Sequence, residues 1–235
     1  MRRHGAAVVS AKRRRDEAHR FRLLQAGDDI RAFTGGRDGD RNIAFPAQRL
    51  DLPRRAQPYL ETVNQATGET VHLAALQGDS VVTLSVREAR HAVRVDTGKI
   101  GKVEAPHATS VGKAIMAWLP EDEIKRILAS GMKRFTDKTI TELPALLESL
   151  RIVRRNGYAI DREEYLPGVI CVGAAIRDQA GTVIGAISAS TPTMRASDEH
   201  IALMREQITA ATRGLSAEFG EPGSQNGERP HAVAN

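Results

Sequence analysis

From Leu52 the chain shows a helical stripe: Leu52, Ala56, Tyr59, Leu60, Val63 and Ala66 fall on one face. Pro53 suits a first turn, where a missing N–H is no loss, and Thr67-Gly68 closes the run as a glycine C-cap. The period then changes. Thr70–Leu76 and Ser80–Val86 are short and rich in β-branched residues, and Gln77-Gly78-Asp79 between them predicts a hairpin. Ala92–Thr97 alternates and reads as a third strand. Thr109 or Ser110 can N-cap a helix carrying Val111, Ala114, Ile115, Trp118 and Leu119, which Pro120 stops. Pro120 starts another, with Glu121, Asp122 and Glu123 where the helix dipole favours acid and Ile124, Ile127 and Leu128 facing inward. Thr141 is the expected cap of a longer helix through Leu143, Leu146, Leu147, Leu150, Ile152 and Val153, ending at Asn156-Gly157.

After Tyr158–Ile160 comes Asp161–Ser190, which reads as two long strands joined by a tight Asp178-Gln179-Ala180-Gly181 turn. A last amphipathic helix from about Ser197 to Phe219 carries Ile201, Met204, Ile208, Ala211 and Leu215. Hairpins on both sides of a helical insert predict an α+β domain, an antiparallel sheet with helices banked against it. There is no strand–helix alternation of the kind a dinucleotide fold requires.

The segments outside this pattern differ in composition. Residues 1–50 hold 12 Lys/Arg against 6 Asp/Glu, whereas the rest holds 22 against 23, so the net charge of +5 belongs to the N-terminal segment. Phe21, Leu23, Leu24 and Ile30 support at most one or two helical turns there, and Gly35 to Asp40 breaks any helix. The segment reads as basic and mostly disordered, able to attract nucleic acid without sequence preference. The expected domains are thus 1–50, a folded body at 51–219, and a Gly/Pro/Ser/Asn-rich disordered tail at 220–235. No apolar run approaches a membrane span of ~18 residues. The stretch Gly5–Val9 falls short of the roughly 7–15 residues of a signal-peptide core. One cysteine, Cys171, permits no intrachain disulfide. A cytoplasmic protein with no membrane partner is expected.

Candidate chemistry gathers in and around Asp161–Ser190. Asp161, Glu163 and Glu164 crowd three carboxylates into four residues, suited to acid–base work or a metal, or else to a solvated strand entry. Cys171 sits in an apolar strand, where a thiol usually behaves as a small hydrophobe. A nucleophilic Cys171 needs a basic partner such as His107, and a mixed His107–Asp161–Cys171 metal site is a further alternative. Ser188 and Ser190 share one strand face, and buried hydroxyls must find partners, a bound ligand or the backbone. Ser110 and Val111 open a helix whose uncovered amides favour an anion, although an ordinary N-cap explains the same residues.

Three strings carry a resemblance: PYLETVNQATGETVHLAAL, APHATSVGKAIMAWLP and RNGYAIDREEYLPGVICVGAAIRDQAGTVIGAISASTPTMR. In this order and spacing they resemble the effector-binding domain of the IclR family of bacterial transcription regulators, from about Leu52 to Phe219. The resemblance implies a GAF-like α+β fold, dimers or tetramers, no cofactor, and a small organic or aromatic acid as effector. It implies effector contacts at Ser110, Val111 and Asp161, with Cys171 and Val169 as pocket wall beside Ser188 and Ser190. No catalytic or metal-ligating residue is implied. The chain departs from the family pattern at Gly173, where alanine is usual, at Ala175, where proline is, and at Thr191, where glycine usually precedes the proline. The family also carries a winged helix-turn-helix, and no capped helix pair joined by a glycine turn can be drawn in residues 1–50. DNA binding is therefore implied by the resemblance alone. Three functions follow: a ligand-sensing regulator, an effector domain acting by hetero-oligomerisation, or a small-molecule enzyme using Cys171.

Overall fold

The computed structural model describes residues 21–26, 29–34, 43–44, 51–95 and 100–220. The chain divides into two compact units, Met1–Ala47 and Gln48–Asn235. In the first, β1 (Phe21–Ala26), β2 (Asp29–Thr34) and β3 (Ile43–Ala44) form an antiparallel sheet in that order. The helical turns expected over Phe21–Ile30 are therefore strands. The period-two run Asp29-Ile30-Arg31-Ala32 suits the second strand, and Ala26 pairs with Asp29 at the end of the ladder. The disorder expected over the remainder of 1–50 and over 221–235 lies outside the described residues, whereas Gly220, expected to open the tail, is still helical.

The second unit begins with α1 (Leu52–Thr67), which stops where Gly68 adopts φ 73 and returns its N–H to the Asn64 carbonyl. Its core is a six-stranded sheet, every neighbouring pair antiparallel: β4 (Thr70–Gln77), β5 (Ser80–Arg87), β6 (Gly101–Lys102), β7 (Ala159–Arg162), β8 (Val169–Arg177) and β9 (Val183–Pro192). The order across the sheet is β6-β5-β4-β9-β8-β7. Between β6 and β7 run α2 (Ser110–Met116), α3 (Glu121–Ile127) and α4 (Leu143–Asn156). After β9, a single 3-10 turn leads into α5 (Asp198–Gly220).

Alternation along the strands fills two cores. Val172, Ala174, Ile176, Ile187 and Ala189 join the buried stripes of α1 and α5 on one face. On the other, Ala74, Val81, Val183 and Ala186 meet the apolar sides of α2, α3 and α4. The architecture is α+β, a sheet with helices on both faces.

Two further expectations are corrected. The strand read at Ala92–Thr97 does not form over its described part, Ala92–Val95. Side chains from elsewhere hold that segment instead: Thr70 Oγ1 donates to the Val95 carbonyl and Arg195 to the Val93 carbonyl. Gly101–Lys102 takes the place beside β5. Thr141 does not cap α4; the N-cap position is Glu142, without a side-chain hydrogen bond, and the Thr141 hydroxyl accepts from Arg134.

Candidate functional site

Register lines up the polar residues of the sheet. Cys171 stands opposite Asp161 on one side and Ser190 on the other, and Ser190 opposite Thr70. One step along, Gly173 pairs with Ser188 and Ser188 with His72. Because side chains alternate across a sheet, Asp161, Cys171, Ser188, Ser190 and His72 share the face on which α2 sits. Gly173 lets α2 approach that face: a Cβ there would lie 3.1 Å from the Ser110 carbonyl carbon and oxygen.

The start of α2 is set by Thr109, extended at φ −110, whose hydroxyl accepts from the Gly112 amide. Pro106 backs onto the helix so closely that a Cβ on Gly112 would lie 2.1 Å from its carbonyl oxygen. The Ser110 and Val111 amides have no acceptor among the described residues. They border a cavity of about 510 Å³ whose floor is the polar face of the sheet.

All seven residues singled out in the sequence, Ser110, Val111, Asp161, Val169, Cys171, Ser188 and Ser190, line this one cavity. Others carried no signal of their own. His72 and Thr83 extend the floor across β4 and β5, Lys102, Val103 and Glu104 form a rim, and Phe135, Tyr165 and Leu166 close the far side. Period-two alternation placed His72 on one strand face, but only its pairing with Ser188 brings it to the site. Phe135 arrives through tertiary contacts: it meets Tyr165 edge-on at 5.0 Å, and the Thr136 and Thr139 hydroxyls donate to the Glu163 and Glu164 carbonyls.

Asp161 is buried, and burial raises its carboxyl pKa to about 6, against the lowering effects of the Glu164 amide and the Lys113 ammonium. That amide donates to Asp161 Oδ1 at 2.7 Å. Burial likewise lowers His72 to about 4, so its ring is neutral near pH 7. Cys171 Sγ lies 3.2 Å from Ser190 Oγ, and burial followed by the Asp161 carboxylate pushes the thiol pKa well up. A raised pKa removes the thiolate a nucleophile needs. His107, its suggested base, is not among the residues lining the cavity: Nε2–H donates to the Lys133 carbonyl at 3.0 Å, the ring packs on Phe135, and Nδ1 is buried without a hydrogen-bond partner among the described residues.

Glu164 corrects the reading of a solvated strand entry. Its carboxylate pairs at 2.5 Å with Lys113 Nζ, and the two side chains keep only 12% and 2% of their exposure. Glu163 fits that reading better: it pairs with the exposed Lys138, yet stands at φ 62, a conformation few non-glycine residues adopt. Among the described residues no three His, Cys, Asp or Glu side chains gather as a metal site.

A polar-floored cavity between an antiparallel sheet and a helix start is the layout of a small-molecule sensor domain. Residues 45–217 match the family model described as "Bacterial transcriptional regulator IclR C-terminal". The chain belongs to the IclR family of bacterial transcriptional regulators. It is 40% identical over 209 residues to the HTH-type transcriptional regulator BhcR of Paracoccus denitrificans (strain Pd 1222), covering 88% of this chain and 74% of that one. To the HTH-type transcriptional regulator KdgR of Escherichia coli (strain K12) it is 36% identical, covering 74% and 66%. The crystal structure of the C-terminal domain of E. coli KdgR superposes with TM-score 0.63 at 35% identity, covering 73% of this chain and 99% of that domain. These relatives are regulators of transcription. No helix among the described residues is long and apolar enough to cross a membrane.

Proposed function

We propose that this chain is a ligand-responsive regulator whose 51–219 domain takes a small organic or aromatic acid into the 510 Å³ cavity. The observation that carries this is the convergence of two uncovered amides, at Ser110 and Val111, with the Ser188 and Ser190 hydroxyls and the buried Asp161 carboxyl. Amides and hydroxyls donate to the ligand carboxylate. Asp161, with a pKa of about 6, accepts from a ligand hydroxyl when ionised and donates to an oxygen when protonated. Val169, Cys171 and Phe135 supply the apolar wall.

In this reading the domain is non-catalytic, and binding shifts a dimer or tetramer between states of different affinity for DNA. The basic 1–50 segment adds only non-specific attraction to DNA, and the protein works in the cytoplasm. Family membership supports the regulatory part of the reading, and the cavity supports the sensing part.

Calorimetry of the full chain against a panel of hydroxy, keto and aromatic acids tests it. At least one acid is expected to bind saturably, and Ser190→Ala to weaken it about tenfold, the loss of one charge-assisted hydrogen bond. If no acid bound, or Ser190→Ala left the affinity unchanged, the site would be misassigned.

A further inference from the structure

Beyond the C-terminal end of α2 lies a second cavity, of about 830 Å³, that the sensor reading does not use. It opens where β7 stops: Ala159 pairs with Gly173, and among the described residues no strand follows β8 on that edge from Ala174 to Arg177. The Arg177 amide donates to Ser216 Oγ of α5 instead. Five arginines converge there from three elements, Arg154 and Arg155 from the last turn of α4, Arg177 from β8, and Arg205 and Arg213 from α5.

Their charge is not answered among the described residues. Residues 51–235 carry almost equal numbers of basic and acidic side chains, 22 and 23, so this concentration is local. Among the described lining residues Asp178 is the single acid, and its Oδ1 is taken by the Ala180 and Thr182 amides of its own turn. Glu148, on the same helix as Arg155, is held bidentately by Arg151 and influences Arg155 only at longer range. Among the described residues none of the five comes within 4.0 Å of a carboxylate, whereas seven other arginines do.

Three of the five are ordered in spite of this. The Arg177 guanidinium lies 3.7 Å from the Trp118 ring centroid, Arg205 lies 5.5 Å over Tyr158, and Arg154 donates to the Ala117 carbonyl at 3.0 Å. Crowded like charges destabilise a fold unless an anion is shared between them, and guanidinium forks reaching one space from several directions match tetrahedral phosphate oxygens. The space is a recess between helices, suited to a small molecule.

We propose that this cleft is a second ligand site, for a small molecule carrying two or more phosphate groups. Trp118 is the only tryptophan in the chain and has Arg177 stacked on it, so its fluorescence reads the cleft directly. The full chain is titrated with inorganic tripolyphosphate, with orthophosphate and sodium chloride at matched ionic strength alongside. Tripolyphosphate is expected to give a saturable change at least about tenfold tighter than orthophosphate, and sodium chloride none. Arg205→Glu/Arg213→Glu alters two exposed positions and is expected to keep the thermal midpoint while weakening tripolyphosphate about tenfold or more. The basic N-terminal segment also attracts polyanions, but it contains no tryptophan and is untouched by these substitutions. The proposal is overturned by an unsaturable change that sodium chloride reproduces, by a double variant that titrates like the parent, or by a response to duplex DNA alone.

Discussion

Lys113 Nζ stands 2.5 Å from Glu164 Oε1 and 2.7 Å from the Ile160 carbonyl oxygen, so the middle of α2 is tied from inside the protein to the β7–β8 connection. Asp161, between those two partners in sequence, receives the Glu164 amide. One buried ion pair therefore organises both the helix that opens the cavity and the segment that carries its carboxyl.

Removing one partner of this pair leaves the other buried and unmatched. Lys113→Met is expected to lower unfolding stability by about 3–5 kcal/mol, measured by urea titration. Lys113→Met/Glu164→Met, which removes both charges, should recover most of that loss. A double variant no more stable than Lys113→Met would show that the ion pair is not what holds the two segments.

Opposing titrations meet at the cavity floor. Asp161, at about 6 when folded and ~3.9 when unfolded, keeps its proton longer in the folded state, so its contribution falls as pH rises from about 4 to 6. His72, at about 4 when folded and ~6.5 when unfolded, takes its proton sooner in the unfolded state, so its contribution falls as pH drops from about 6.5 to 4. The two slopes largely offset each other. Asp161→Asn exposes the second: relative to the parent, its stability should fall by on the order of 2–3 kcal/mol between pH 6.5 and 4. Above pH 7 it should be the more stable of the two. Parallel pH profiles for the two proteins would sink the assignment.

Cys171 should be inert in the native state. Its raised pKa and its contact with Ser190 predict that a chromogenic disulfide reagent at pH 7.5 labels it far more slowly than it labels the thiol of the unfolded chain. Rapid labelling without unfolding would reopen the enzymatic reading.

Gly112 is required by contact with a neighbour. A methyl group there would meet the Pro106 carbonyl oxygen at 2.1 Å, and backbone cannot step aside as a side chain tip can. Gly112→Ala should cost about 1–3 kcal/mol or more in thermal or urea unfolding. It should also weaken acid binding, because the Ser110 and Val111 amides shift with the helix start.

The amphipathic periods of α1, α4 and α5 and the hairpin turns at Gly78 and Gly181 were legible because they depend on neighbours in sequence. Five of the seven cavity residues fall within the single stretch Asp161–Ser190, but Ser110, Val111 and Asp161 were singled out by the family resemblance and not by local pattern. Phe135, His72 and Lys102 were not legible, since each reaches the cavity through pairing or packing across long separations. Glu164 looked like a surface acid because nothing in its own segment announces Lys113, 51 residues away. Ala92–Val95 looked like a strand because alternation reports a face for burial but says nothing of whether a sheet edge is available. At Phe21–Ile30 the helix reading passed over the period-two alternation of Asp29-Ile30-Arg31-Ala32, which pairs with Phe21–Ala26.

Helix α2 is only seven residues long, about 10 Å, and the two cavities lie beyond its opposite ends. Ser110 faces one and Trp118, two residues past the last turn, faces the other. Underneath, Cys171, Gly173, Ala175 and Arg177 are alternate residues of one strand, running as a track from the first cavity to the second. Lys113 and Gly112 fasten this short helix to its surroundings, so the spacing between the two cavities is set by a single rigid element.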